Sequence, residues 1–497
     1  MNKRVCDGLA LAGGRHRSLA VGPGAWVTAG LITTVLTVAG CGDGSGAAQS
    51  RPLPPSGFGP PVTSEADAIL HMDQLRAAGL YGAGVRVGVI STGVANLASY
   101  QAAGVLPTSL YVSQGTPGVL DEGSWMLELV HQHAPSAVLG FCDGIDLDFD
   151  GCIRDLATNF HADIIVDDIL FSGQFYPDPT ANLVNQLELA NDKLLFIHLA
   201  GNEQQGGYWQ GPFVGTQLTF AGAAVTVLDF GLASGARSDP YNAITLPPGS
   251  HLKLILNWND PPGGTTNHAL SAYLLDQASQ PLSRASGQSD PTLILQYANS
   301  TNAPQVLRLV VGLDSSGPTD GIAVQVTEGS STCDIECYPL AYANSGLAGG
   351  TVGDFDDALV VGATDALAPR TLEKWTNRGP FRIEFMATPN SGAAGGFDYM
   401  RLAAPLLVAK PDIVAPDCVT VPFSNGMTLA NEQFCGTSAA VPAIAGAAAL
   451  LEGAGFNRVR VLKALRSTAL PLGAAGWDPG YGFGLADALA AWKSGGI

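Results

Sequence analysis

A parallel α/β sheet covered on both faces by helices, interrupted by an inserted antiparallel β-sandwich, is the fold class this 497-residue sequence predicts. Three observations predict it. Short apolar runs that read as buried strands recur near Val85 to Ile90, Ala137 to Phe141, Ile164 to Val166, Leu194 to His198 and Ala358 to Val361, with helical stretches between several of them. Such runs suit strands that are buried on both sides between helix layers. From about 227 to 345 the texture changes to a period of two: Leu252, Leu254, Leu256 and Trp258 alternate with Lys253, Ile255, Asn257 and Asn259. The same period returns at Leu307, Leu309 and Val311 and at Ile322, Val324 and Val326. Turn signals at Pro247-Pro248-Gly249 and Pro262-Gly263-Gly264 separate the runs. The third observation is compositional: 46% hydrophobic residues against 13% charged supplies ample core for a chain of this length.

Charge narrows the partners. With 24 Lys+Arg against 43 Asp+Glu, the formal net charge is -19, and no basic cluster lies outside the first twenty residues. Such a balance repels phosphate backbones, so nucleic acid is not an expected partner.

The N-terminus reads as an address. Lys3, Arg4, Arg15 and Arg17 lead into the apolar stretch from Trp26 to Ala39, which ends in Val38-Ala39-Gly40-Cys41. Those last four residues resemble a bacterial lipobox. The resemblance implies a signal peptide over 1–40, lipidation of Cys41, and an exported protein lipid-anchored at the cell envelope, with the membrane reached through the lipid. Residues 41–63 are Gly, Ser and Pro with few large apolar groups, and read as a tether. The remaining organisation is 64–226 and 346–497 as two parts of one α/β domain, with the sandwich over 227–345 between them. Six cysteines remain after Cys6 and Cys41. Fifteen pairings are open to them, and the simplest in an oxidising compartment is Cys142 with Cys152, Cys333 with Cys337 and Cys418 with Cys435. A metal site is the weaker reading, because the spacings lack His at ligand distance.

The string that carries chemistry is Gly436-Thr437-Ser438-Ala439-Ala440-Val441-Pro442-Ala443, continuing into an Ala/Leu run to Leu451. A Ser at the start of a small-residue helix sits in the positive field of the helix dipole, where its own N–H can meet a developing oxyanion. This string resembles the nucleophile motif of subtilisin-like serine peptidases, and Lys410-Pro411-Asp412-Ile413-Val414-Ala415-Pro416 resembles the strand that precedes it in that family. Ala200-Gly201-Asn202 resembles the family's oxyanion segment. The resemblance implies a subtilisin-like fold, peptide-bond hydrolysis with Ser438 as nucleophile and Asn202 as oxyanion donor, a protein or peptide substrate, and no cofactor.

Two positions depart from that pattern. Asp121-Glu122-Gly123-Ser124 stands where the family carries its catalytic His, so Glu122 takes that place, as in the sedolisin-like serine-carboxyl peptidases that use Glu for proton transfer. A carboxylate with a reference pKa of about 4.3 is a weaker base than imidazole, so activity is expected to favour acidic medium. Glu122 also reads as an ordinary acid at a helix N-terminus. Val87-Gly88-Val89-Ile90-Ser91-Thr92-Gly93 resembles the strand that carries the family's catalytic Asp, but Ser91 occupies that position. Sedolisins place an Asp four residues after the Glu, where this chain has Met126. Candidate carboxylate partners are therefore Asp121, Asp167 and Asp168. His131 and His133 read as helix-end residues complementing the dipole, and His198 as a packed strand residue. Asp146-x-Asp148-x-Asp150-Gly151 imitates a calcium loop but has Ala157 at its twelfth position, so an acidic hairpin is expected, with calcium the alternative. A second functional class stays open: a subtilase shell without catalysis, acting as a surface binding or scaffold lipoprotein.

Overall fold

In the computed structural model, residues 63–113, 118, 120–144, 149–169, 175, 179–204, 206–220, 223–261, 268–287, 291–314, 322–328, 338–344, 358–389, 397–424 and 429–495 are described. The signal, Cys41, nearly all of the tether, Cys333, Cys337 and the Asp146 and Asp148 positions lie outside them.

The apolar runs become strands. In chain order β1 is Arg86–Ser91, β2 Tyr111–Val112, β3 Val138–Asp143, β4 Ile164–Asp167 and β5 Leu195–Leu199. Ten strands of the insert follow: β6 Tyr208–Pro212, β7 Gly215–Phe220, β8 Ala223–Leu228, β9 Asn242–Leu246, β10 His251–Trp258, β11 Leu270–Leu275, β12 Pro281–Gly287, β13 Thr292–Ala298, β14 Gln305–Leu313 and β15 Ala323–Glu328. The chain then returns through β16 Leu359–Asp365, β17 Phe381–Pro389, β18 Phe397–Val408, β19 Ile413–Asp417, β20 Val419–Ser424 and β21 Leu429–Phe434. The helices are α1 Glu65–Ile69, α2 Met72–Ala77, α3 Leu97–Ala102, α4 Glu122–His133, α5 Phe149–Thr158, α6 Pro179–Ala190, α7 Phe230–Ala233, α8 Thr437–Gly453, α9 Arg458–Thr468 and α10 Ala488–Lys493. None of the described helices is long and apolar enough to cross a membrane.

Seven strands form one parallel sheet in the order β19-β16-β5-β4-β1-β3-β2. Alternation along each strand splits its side chains between two helix layers. Val87, Val89, Val166, Ile197 and Val361 enter a core shared with α4 and α8, whereas Ile90, Ile165 and Phe196 enter a second core with Ile153 and Leu156 of α5 and Val184 of α6. Burial on both faces is why these strands are apolar along most of their length, with Asp167, His198 and Asp417 as exceptions near their C-terminal ends. At the sheet edge, Lys410 is fully buried and donates to Asp412 at 2.9 Å, and Arg466 pairs with the other Asp412 oxygen at 2.7 Å, so the one buried ammonium there is neutralised.

The insert is two antiparallel sheets, β13-β10-β15-β6 and β12-β11-β14-β8-β7, with β9 paired to β14. The alternating residues read from sequence, Leu252, Leu254, Leu256, Trp258, Leu307, Leu309, Val311, Ile322, Val324 and Val326, share one core. Its strands begin with β6 at Tyr208, before the expected 227, because Gly211 and Pro212 obscure the period there. The β17–β18 hairpin was not foreseen. It braces the insert: Phe381 and Ile383 pack on Tyr208, and the Asn259 amide donates to Glu384 at 2.8 Å.

Helix α8 runs through the centre of the parallel domain, buried from Thr437 to Leu451. Its Ala-rich surface lets backbones approach closely, and at Gly446 it touches α4: a Cβ built there would lie 2.5 Å from His133 Cβ. This contact corrects the expected role of His133. It is fully buried beneath α8, neither ring nitrogen has a hydrogen bond among the described residues, and burial lowers its pKa to about 4, so it is neutral and does not complement the helix dipole. Burial lowers the His131 pKa as well.

Two outcomes are expected. Gly446→Ala gains about 1 kcal/mol of helix propensity but drives two Cβ atoms together, for a net loss of about 1–3 kcal/mol in urea unfolding. Because folded His133 titrates below its unfolded value, the unfolded chain binds the extra proton first as pH falls, so stability drops between about pH 6.5 and 4. In His133→Leu, unfolding curves recorded across that window lose this part of the slope.

Candidate active site

The site forms where three segments meet at the start of α8. Gly436 caps the helix at φ 93°, a left-handed conformation that glycine adopts without strain. A Cβ there would also approach Asn202 Nδ2 to 3.1 Å, so the missing side chain makes room for the amide. The Asn202 side-chain oxygen accepts from the Thr437 N–H and from the Thr437 hydroxyl, both at 2.9 Å. The amide oxygen is thus engaged with both polar groups of Thr437, and the Nδ2 end of the side chain faces Gly436. Asn202 and the residue before Ser438 are therefore joined directly although 235 positions separate them. Ser438 is 8% exposed, and among the described residues its hydroxyl makes no hydrogen bond.

Glu122 opens α4 and is 7% exposed. The Thr92 hydroxyl donates to its Oε2 at 3.1 Å. Two glycines permit this approach: a Cβ on Gly93 would lie 2.6 Å from the Leu120 carbonyl, and one on Gly123 would lie 2.6 Å from the Gly93 carbonyl. The turn after β1 is thus pressed against the first turn of α4. Next to Thr92, the Ser91 hydroxyl donates to Asp168 Oδ2 at 3.0 Å. Where the family pattern has an acid, this chain has a hydroxyl that reaches an acid at the end of the neighbouring strand.

The other two carboxylates serve elsewhere. Asp121 accepts from the Asn96 backbone and side chain, from Tyr100 and from Ser124, and burial raises its pKa against those donors. Asp167 receives His198 Nδ1 at 2.9 Å in a fully buried pair; burial raises its pKa and the imidazole opposes that shift. His198 is packed in the sheet, as its place on a strand implies.

A fourth group was missed from the sequence. Asp417 ends β19, is fully buried, and accepts the Gly436 N–H at 2.8 Å and the Trp375 indole N–H at 3.3 Å on one oxygen. The segment around Trp375 also holds the Gly201–Glu203 turn: Asn377 donates its backbone N–H to Gly201, accepts from the Glu203 N–H at 3.0 Å and donates its amide to the Glu203 carboxylate. The signal that could have found Asp417 is its place directly after Pro416 in the Lys410–Pro416 motif. Glu373, Asp417 and Cys418 bring one donor atom each within 4.8 Å of one another, but the Cys418 sulfur is bonded to Cys435. Two side chains are too few for a closed metal site. Disulfides join Cys142 to Cys152 and Cys418 to Cys435, two of the three expected pairs.

No protein-family model matches the chain, and no curated protein matches it in sequence. Among solved structures it is similar to the CspB protease of Clostridium perfringens, with a TM-score of 0.50 and 12% identity over 86% of this chain and 96% of that one. A lanthipeptide protease also matches, with a TM-score of 0.40 and 15% identity over 86% of this chain and 94% of that one. The chain has the subtilisin-like fold: a large parallel sheet between helices, with separate antiparallel sheets.

The Cys418–Cys435 bond closes a 17-residue separation that contains the β20–β21 hairpin. Replacing both cysteines by serine is expected to lower unfolding free energy by about 3 kcal/mol, read as a lower urea midpoint.

Proposed function

We propose that this protein is an exported, lipid-anchored serine-type peptidase in which Ser438 attacks the peptide carbonyl, the Asn202 amide and the Ser438 N–H hold the oxyanion, and Glu122 takes the proton. The observation that carries this reading is the direct tie between Thr437 and Asn202, which sets an amide donor beside the residue that follows Thr437 at the head of α8. An oxyanion donor is useful only next to a nucleophile, and the two belong to segments far apart in the chain. In the first step the Ser438 oxygen bonds to the carbonyl carbon, the carbonyl π pair moves to oxygen, and the hydroxyl proton passes to Glu122. Collapse of the tetrahedral centre returns that proton to the leaving amine, and water then hydrolyses the ester by the reverse sequence. The Thr92 hydroxyl donates to Glu122, and the Ser91–Asp168 bond adds an acid behind the same turn, which supports Asp168 above Asp121 and Asp167 as the third member. The lipid anchor rests on the lipobox-like Val38–Cys41 string alone.

A second reading is a binding or scaffold lipoprotein that keeps the shell without turnover. Ser91 at the acid position favours it, since the position that carries an acid in the subtilisin-like pattern carries a neutral hydroxyl here.

A fluorophosphonate probe applied to the whole protein from about pH 3 to 8 decides between them. The peptidase reading expects covalent labelling that Ser438→Ala abolishes, that Asn202→Ala slows by about 10²–10³-fold, and that Glu122→Gln slows by at least 10²-fold. Wild-type protein without Ser438-dependent labelling at any pH leaves the scaffold reading.

A further inference from the structure

The Asp417 cluster is unused by the mechanism above. Its place is unusual. One Asp417 oxygen receives the backbone N–H of Gly436, two residues before Ser438, and the same oxygen receives the indole of Trp375, whose carbonyl accepts the Gln204 N–H two residues after Asn202. A single carboxyl group therefore touches the segment that carries the nucleophile and the segment that braces the oxyanion turn. The Cys418–Cys435 bond ties the residues next to both partners of the Asp417–Gly436 contact.

Among the described residues the other Asp417 oxygen receives no N–H or hydroxyl; it is fully buried, and its side chain has a donor atom within 4.8 Å of one from Glu373. Register pairing of β16 with β19 sets Asp365 opposite Asp417, which adds a third acid. The charged groups acting on the pair are Asp365 at the end of β16 and Lys374 beside Glu373; α8 contributes the Gly436 N–H and no charged side chain in its first turn. Two ionised carboxylates this close in a buried setting repel strongly, and one proton between them removes most of that cost. A cation is less suited, because the Cys418 sulfur is spent in a disulfide and, among the described residues, the Asp365 carboxylate is not one of the donor atoms gathered within 4.8 Å of one another.

We propose that Asp417 and Glu373 share one proton and that this carboxyl pair is a positioning device, holding the Gly436–Ser438 turn and the Gly201–Gln204 turn in register. The role in catalysis rests on the peptidase reading; the shared proton does not. Burial, reinforced by Asp365, raises the Glu373 pKa to about 7, and burial with Glu373 raises that of Asp417 well above the usual carboxylate range. Because the folded-state value of Glu373 lies above its unfolded one, the stabilisation that its proton contributes is complete below about pH 4.5 and is lost as pH rises through about 7.

The test uses the full chain, with two N–H groups as reporters: the Trp375 indole, assigned through Trp375→Phe, and the Gly436 amide. Nuclear magnetic resonance spectra from pH 5 to 9 are expected to show both signals moving together with one midpoint near 7. Asp417→Asn keeps an acceptor for Gly436 and gives Glu373 an uncharged donor; it, and independently Glu373→Gln at the half-buried partner, should flatten both curves. Signals that stay fixed in the wild type, that titrate unchanged in Glu373→Gln, or that move on adding calcium and return with chelator overturn the shared proton. Fluorophosphonate labelling run in parallel separates the two proposals. In the wild type its rate should fall above pH 7 at least threefold more than in Asp417→Asn, and equal falls overturn the positioning role. Titrating N–H signals in a protein that never labels overturn both that role and the peptidase reading, and leave the shared proton standing.

Discussion

Two hydrogen bonds from Thr437 to one amide oxygen organise this site. They force the end of β5 and the start of α8 into one position, and everything proposed for the chemistry presumes that they hold. Neither segment could keep this geometry alone. The Asn202 turn is irregular backbone, and α8 begins on a left-handed glycine. The support comes from outside: Asn377 braces the Gly201–Glu203 turn, Asp417 holds Gly436, and a disulfide closes the segment between Cys418 and Cys435. Preorganisation of this kind fixes a donor before charge develops, which is where an oxyanion site gains its effect.

The acid side of the site is built differently. A chain with the usual acid on β1 would place a charge there; this one places consecutive hydroxyls, Ser91 and Thr92, that reach Asp168 and Glu122. Hydroxyls are shorter and carry no charge, so they transmit less field but accept tighter burial. The glycine pair at 93 and 123 lets two backbones close upon each other, and the contact between Thr92 and Glu122 follows from that closeness.

Low charge content and strong acidity meet in the interior. Among the described residues several carboxylates are fully or nearly fully buried, and each finds a distinct solution: an imidazole for Asp167, backbone and hydroxyl donors for Asp121, an ammonium and a guanidinium for Asp412, and a neighbouring acid for Asp417. The last is costliest when ionised, which is why it is the place where solution pH and site geometry meet.

Local pattern determined much on its own. Strands buried on both faces are mostly apolar whatever lies beyond them, so β1, β3, β4, β5 and β16 were legible within a few residues, as was the period-two core of the insert, whereas the two-residue β2 was not. The G-T-S string and the A-G-N turn were legible through their resemblance to the subtilisin-like pattern. Tertiary structure decided what depends on approach between distant segments. Asp417 became part of the site only when β19 ran beside β16 and its end met the N-terminus of α8. Asp168 came beside Ser91 only through the pairing of β1 with β4, and His133 became a neutral packing residue only when Gly446 came against it. Periodicity reports which face of an element is dry; it carries no record of which other element will cover that face, and the partners of a buried charge are set by that covering element.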